Sequence, residues 1–540
     1  MTTRFRLGAA AALALIVAGA GLRLTAQPAH APRIDVSFTA AAHAAPITGM
    51  VYFALSRDNR TPPIQQTDPE GVPLFSKYVE NLQPGATVTF DTGYRGHPLA
   101  SLADIPAGEY WVQPFVNVYT RFQRADGHTV WMHMDQWEGQ NWKRSPGNLF
   151  GDPVKVRIDP ASSTPIALVA DKVIPPVVVT PDTAMVKRIK IQSQVLTKWW
   201  GQPIFLGATI LLPKDYDAHP GVKYPVNYIQ GHFSLRAPGG FGSGAEFDKL
   251  WLAETTPRFV YVTLQHPSPY YDDSYGVNSE NNGPYGDAIM QELLPAIEMQ
   301  FRVIRQPWAR MLSGGSTGGW IALAHQVFYP TFYGGAFASC PDAVDFNYHQ
   351  IVNVYKDANA YFLEHDWMKV DRPTRRQPDG NIVSMMKDEN RYELVVGDKS
   401  RSGGQWDIWE ATYSPVGSDG YPMRIWNKQT GAIDRAVAER WKKYDLLDVL
   451  KAGWATLGPN LAHKLNAYTG DMDSYYLNDA LENLHAFLQK TENPKWTGEI
   501  LFQRRAPHCW GPRPAELLEK MTRQIEKYAP AGSDLKGWRY

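Results

Sequence analysis

The sequence predicts a doubly wound α/β domain with a mostly parallel sheet, preceded by an all-β sandwich. Three observations carry that expectation. Short apolar runs of period two, separated by Pro, Gly, Asn and Asp, fill the stretch from Ile34 to about Ile174. From Val186 onward strands alternate with helical segments, as in a sheet covered on both faces. Between them Val173–Pro181 carries Pro175, Pro176 and Pro181, and proline-rich backbone is extended and semi-rigid. The expected organisation is a sandwich over 33–174, a linker over 175–185 and the α/β domain over 186–540.

The leader comes first in the chain. Arg4 and Arg6 precede an uncharged apolar run from Leu7 to Leu22, and small residues follow near Thr25-Ala26. The run is too short for a membrane span and reads as a cleavable secretory signal over 1–26, which implies export to the periplasm or beyond and no membrane attachment after cleavage. The chain has 540 residues, with Lys plus Arg equal to Asp plus Glu at 54 each. That balance gives no electrostatic case for nucleic acid or an anionic membrane as partner.

In the first segment the strand candidates are Ile34–Phe38, Met50–Leu55, Ala86–Phe90, Glu109–Tyr119, Val154–Ile158 and Ile166–Ala170. Thr120–Phe150 reads as loop, with Trp131, Trp137 and Trp142 either packed beneath it or exposed for stacking on sugar rings. In the second segment Lys187–Ser193 and Gly207–Leu212 open the sheet, and Tyr224–Ile229 and Phe259–Leu264 are strands. Asp287–Phe301 is a helix that Pro295 should kink or break. A short strand, Ala309–Leu312, leads into a helix over about Thr317–Val327, then a strand at Gly335–Ser339. From Val344 to Ala452 the alternation stops. This polar, aromatic stretch, with Trp367, Trp406, Trp409, Trp426 and Trp441, reads as a large cap insertion. Strands at Lys464–Thr469 and Gly498–Phe502 and helices at Leu477–Gln489 and Pro514–Tyr528 complete the domain.

The chemistry centres on Gly314-Gly315-Ser316-Thr317-Gly318, a G-x-S-x-G pattern between strand and helix, which presents Ser316 as a nucleophile. Ser313 lacks a glycine two positions before it and falls in the strand. A serine hydroxyl is weakly nucleophilic and needs a histidine to take its proton and a carboxylate to orient that histidine. In doubly wound hydrolases these follow later strands in the order acid, then His. Asp473, with Asp471 as the alternative acid, follows one strand; His508 follows the next. His325 and His485 fall in helices, and His463 precedes its strand. For a developing oxyanion the donors expected are the amides of Thr317 and of His232, in the Gln230-Gly231-His232-Phe233 loop.

Over roughly two-thirds of the chain the sequence resembles the Putative esterase family of α/β-hydrolases, the group of esterase D and enterochelin esterase-like proteins. The marks are the Tyr224–Phe233 strand and loop, Gln291-Glu292-Leu293-Leu294-Pro295, Ser313 through Gly319, Gly470-x-x-Asp473 and His508. The resemblance implies an α/β-hydrolase fold, ester or thioester hydrolysis by Ser316, Asp473 and His508, and neither metal nor organic cofactor. The chain departs from the family in its Gln-Gly-His loop and in the size of the 344–452 insertion. Cys340 and Cys509 both fall on the catalytic rim, where a disulfide pinning the His508 loop or two free thiols are the alternatives.

The expected function is that of a secreted serine carboxylic-ester hydrolase working through an acyl-enzyme on a small-molecule or carbohydrate-linked acyl or aryl ester. The alternatives are an inactive hydrolase fold serving carbohydrate binding or adhesion, and a peptidase or acyltransferase with the same triad.

Overall fold

A computed structural model describes residues 32–91, 93, 95–159, 162 and 164–540. The signal segment expected at 1–26 lies outside the described residues. Eight strands form the large sheet: β1 (Val186–Ser193), β2 (Ile204–Leu211), β3 (Val226–Gln230), β4 (Val260–Gln265), β5 (Arg310–Gly315), β6 (Gly335–Ser339), β7 (Leu465–Gly470) and β8 (Ile500–Gln503). Their order is β1-β2-β4-β3-β5-β6-β7-β8. The β1–β2 and β2–β4 pairs are antiparallel and the remaining pairs parallel. Parallel pairing sends β3, β5, β6, β7 and β8 to one edge at their C-terminal ends, where such sheets bind ligands.

The central strand shows why the sequence settles there. Arg310 through Ser313 of β5 are all buried, as an interior parallel strand requires. The helix after it, α1 (Thr317–Phe328), is buried on every side as far as Val327, so it lies inside the domain rather than on its surface. Pro295 acts one step earlier than expected. The helical stretch Tyr285–Gln300 contains a π turn at Ile289–Leu293, and Pro295 stands in the first turn of Leu294–Gln300. A proline lacks an N–H and crowds the carbonyl four residues back, here Gln291. The wider turn at that residue accommodates both effects.

The N-terminal segment is β-rich, built on two sheets. One holds Ile166–Ala170, Ile34–Phe38 and Val88–Phe90; the other is centred on Gly108–Val118, Ile47–Ser56 and Leu74–Leu82. Val36, Phe38, Val51, Phe53, Phe90, Val112 and Leu168, from both sheets, share one apolar cluster. The pairing is not purely antiparallel, because Ile34–Phe38 and Ile166–Ala170 run parallel.

Thr120–Phe150 is likewise not simply loop. Thr120–Gln123 and Thr129–Met132 form a hairpin. Its Phe122, Val130 and Met132 enter the large core beside Leu196 and Trp200. The tryptophans of this region are packing groups: Trp142 stacks on Tyr52, and Trp137 meets Phe233 edge to face. Trp137 and Trp142 are buried and Trp131 is half-buried against the same cluster as Trp142.

The stretch after β6 contains more regular structure than its composition suggested. Two hairpins precede α2 (Met386–Val396) and α3 (Gln405–Tyr413), and α4 (Leu446–Leu461) begins on the N-cap of Asp445, which accepts from the Asp448 N–H. Because α4 packs against α1 as a cover of the sheet, the irregular stretch ends near Asp445 rather than at Ala452. Lys428, Glu393 and Asp407 hold α2 and α3 together in a buried ion cluster. Lys428 Nζ lies 2.7 Å from Glu393 and also contacts Asp407, all three being buried. Glu393 also accepts from the backbone N–H groups of Trp406 and Asp407, each at 3.0 Å. Removing the lysine leaves two buried carboxylates facing each other, with Arg424 as a more distant counter-charge to Asp407. Lys428→Ala is expected to cost about 3–5 kcal/mol of stability, read as a lower midpoint in denaturant unfolding; an unchanged midpoint would contradict this account.

Among the described residues no helix is long and apolar enough to cross a membrane.

Candidate active site

Ser316 stands between β5 and α1 with φ 56° and ψ −124°. Positive φ is strained for a residue with a side chain and persists only where the surroundings impose it. Here the surroundings are close. The Ser316 N–H donates to Ser339 O on β6 at 3.0 Å. A Cβ on Gly318 would stand 2.1 Å from Gln230 O, and one on Gly314 would stand 2.4 Å from Gly318 O. Only hydrogen fits at either position, which gives both glycines of the motif a steric reason. The same contact presses the Gln230–Gly231 backbone against the first turn of α1, with His232 next in the chain. The first N–H groups of a helix have no partner inside it, and they carry partial positive charge. Thr317 is the first residue of that turn.

His508 and Asp473 are brought together. His508 Nδ1 donates to Asp473 Oδ2 at 2.7 Å. Asp473 is fully buried, and its other oxygen accepts from the N–H groups of Tyr475 at 2.8 Å and Leu477 at 3.3 Å. Asp471 turns elsewhere and accepts from the Arg505 N–H. The three histidines that the sequence set aside lie apart: His325 is buried in α1 against Gly276 O and Tyr333, His463 stacks on Tyr528, and His485 packs beside Trp496. Ser316, His508 and His232 line one cavity of about 470 Å³, with Tyr271, Trp406, Trp409 and Tyr475 as its aromatic walls.

Cys340, just beyond β6, and Cys509, next to His508, form a disulfide across 169 residues of sequence, with Cα atoms 4.7 Å apart. Cys340 Sγ lies 3.2 Å from the Ser316 nitrogen and 3.8 Å from His508 Nε2. The bond therefore borders the backbone of the elbow and the ring of the histidine together.

One residue of the site went unnoticed in the sequence. The hydroxyl of Ser316 donates to Asp342 Oδ1 at 3.3 Å. Asp342 follows β6 at the same sheet edge in Ser339-Cys340-Pro341-Asp342, and that placement was the available signal. Burial pushes its carboxyl above the usual carboxylate range, against the hydrogen bond from Tyr275. His232 is the opposite case. Burial alone would lower its pKa, but Nδ1 lies 3.1 Å from Asp272 and 3.5 Å from Asp273, and those carboxylates raise it to about 11. These three residues cluster closely enough to hold a cation.

The doubly wound strand order and the serine on its strand-to-helix elbow give the arrangement that serine hydrolases use, an arrangement shared by enzymes acting on esters and on other acyl groups. Residues 206–404 match the family model described as Putative esterase, and over this segment the resemblance to that family holds. Solved structures to which the chain is similar include a ferulic acid esterase, at 16% identity and TM-score 0.36 over 63% of this chain and 99% of that chain. An S-formylglutathione hydrolase from Agrobacterium tumefaciens is similar at 14% identity and TM-score 0.35, over 64% and 98%. Fluorophosphonate-binding serine hydrolase F of Staphylococcus aureus stands at 13% and 0.35, over 63% and 98%. No curated protein matches the chain.

Proposed function

We propose that the protein is an exported ester hydrolase in which Ser316 forms an acyl-enzyme, His508 is the general base and Asp473 orients it. The observation that carries this reading is the 2.7 Å Asp473–His508 hydrogen bond on the cavity that also holds Ser316. With Nδ1–H committed to Asp473, His508 Nε2 is free to take the proton of the Ser316 hydroxyl as its oxygen attacks the ester carbonyl. The imidazolium then returns that proton to the departing alcohol, and a water activated by the same nitrogen releases the acid. The Thr317 and His232 amides are the donors for the oxyanion, a role supported by the close approach of the Gln230–Gly231 backbone to α1.

The serine must first turn away from Asp342. Rotamer exchange of an accessible side chain is fast compared with turnover, so this orientation is a resting state rather than a block. Export rests on the basic, apolar and small-residue run of 1–26, and a disulfide is the chemistry an oxidising compartment permits. Substrate selection belongs to Tyr271, Trp406, Trp409 and Tyr475, whose flat faces suit an aryl or sugar group on the ester. The alternative of an inactive carbohydrate binder drew on Trp131, Trp137 and Trp142, which pack within the fold instead.

The test is labelling of the purified protein with a fluorophosphonate, followed by peptide mapping, alongside turnover of short-chain aryl esters. A single adduct on the peptide carrying Ser316 is expected. An unlabelled protein that turns over none of the esters would sink the reading.

A further inference from the structure

Asp342 is a carboxylate at an unusual place, beside the nucleophile of an ester hydrolase. It is 4% exposed. Besides Ser316 it meets the Tyr275 hydroxyl at 2.5 Å, the Thr317 hydroxyl at 3.2 Å and Gln405 Nε2 at 3.5 Å. Each of these is a neutral donor. Among the described residues no lysine, arginine or histidine lies within ion-pair distance of it, and His508 and His232 act on it only from further off, whereas Asp473 pairs with His508, Asp273 with His232 and Glu393 with Lys428. A buried carboxylate without a cation is costly unless donors surround it, and the mobile member of its donor set is the hydroxyl that catalysis takes away. When Ser316 turns to His508, Asp342 Oδ1 loses that partner on the side of the cavity, which it lines.

Attack by Ser316 fixes where the substrate's parts must lie. The carbonyl carbon bonds to Oγ and carries three other substituents. The oxygen points to the amides at the start of α1, and the leaving alcohol points to His508, which protonates it. The third direction belongs to the acyl chain. Asp342 is neither of the first two groups, yet its carboxylate lies 3.3 Å from Oγ. It therefore borders the first carbons of the acyl chain.

On that basis, and resting on the acyl-enzyme reading above, we infer that Asp342 is a specificity-determining residue that receives a hydrogen-bond donor, a hydroxyl or an ammonium, carried on the acyl carbon next to the ester carbonyl. The substrate's donor takes the place of the Ser316 hydroxyl, so binding the correct acyl group releases the nucleophile toward His508. Tyr275, Thr317 and Gln405 hold the carboxylate for that exchange. An acyl group without a donor leaves Asp342 short of a hydrogen bond once the serine turns, and a site built to pair a polar group discriminates strongly against its absence.

The experiment uses the full chain and four methyl esters of one acyl length: propanoate, 2-hydroxypropanoate, 2-aminopropanoate and 2-methoxypropanoate. The methoxy ester keeps the oxygen of the hydroxy ester and lacks the donor. Wild type is expected to show kcat/KM at least about 10-fold higher for the hydroxy or the amino ester than for the methoxy ester; which of the two leads distinguishes a hydroxyl from an ammonium. In Asp342→Ala that ratio falls to near one, while fluorophosphonate labelling of Ser316 persists and reports an intact elbow. Should Asp342→Ala fail to label, the isosteric Asp342→Asn decides, with loss of any preference for the amino ester and a reduced one for the hydroxy ester. A wild type that hydrolyses all four esters without preference overturns the inference and leaves the hydrolase reading standing. So does a preference that survives in the variants. A wild type that neither labels nor hydrolyses any ester overturns both.

Discussion

Ser316→Ala is expected to lower kcat for an aryl ester by about 10⁶-fold, the loss found when the nucleophile of a serine hydrolase is deleted. The variant keeps the elbow, because alanine removes only the hydroxyl and the backbone bond from Ser316 N–H to Ser339 O remains. KM should change little, since the substrate still meets the same aromatic walls. What survives is the catalysis that oxyanion donors and positioning give without a nucleophile. Ser313→Ala is the matched control. That serine is 5% exposed, within β5, and its loss should leave turnover near wild type. Steady-state kinetics on both variants, at enzyme concentrations high enough to detect the residual rate, separates the two serines. Equal activity of Ser316→Ala and wild type would exclude the acyl-enzyme.

How much of this was legible in the sequence depended on how locally each feature is determined. The elbow was legible because its requirements are local: an apolar strand, glycines where backbones touch, and a helix. The strands Ile34–Phe38, Val154–Ile158 and Ile166–Ala170 and the helix Pro514–Tyr528 occur with the expected bounds, since period-two and period-3.6 patterns report directly on burial. The Thr129–Met132 strand was missed because one side of its hairpin faces the core of the other segment, and nothing nearby in sequence reveals that neighbour. The helices α2 and α3 were hidden for a related reason. In α3 every residue from Trp406 to Tyr413 is buried, so the helix has no polar face to give it a period. Its charges, Asp407 and Glu410, look solvent-exposed until Lys428 and Ser400 are found beside them. Asp342 escaped notice because Ser-Cys-Pro-Asp resembles any turn; its meaning comes from β6 ending beside β5, a tertiary fact.

The choice between Asp471 and Asp473 shows the same limit at the finest scale, and it supplies the second large expected effect. Both acids follow β7 within three residues of Gly470, so spacing favours neither. The turn separates the two acids: Met472 N–H donates to Ala506 O at 3.2 Å and Asp473 N–H to Gly470 O at 3.2 Å, which folds the chain back and carries Asp473 inward. Asp471 is left outside to cap the Arg505 N–H. Asp473→Asn should therefore lower kcat by about 10⁴-fold, because an amide that presents its NH₂ to the ring favours the tautomer with the proton on Nε2, and that nitrogen can no longer accept from the serine. Asp471→Asn retains an oxygen for Arg505 and should stay within a few-fold of wild type. Equal losses in the two variants, or the larger loss at Asp471, would assign the orienting acid to the wrong residue and with it the turn after β7.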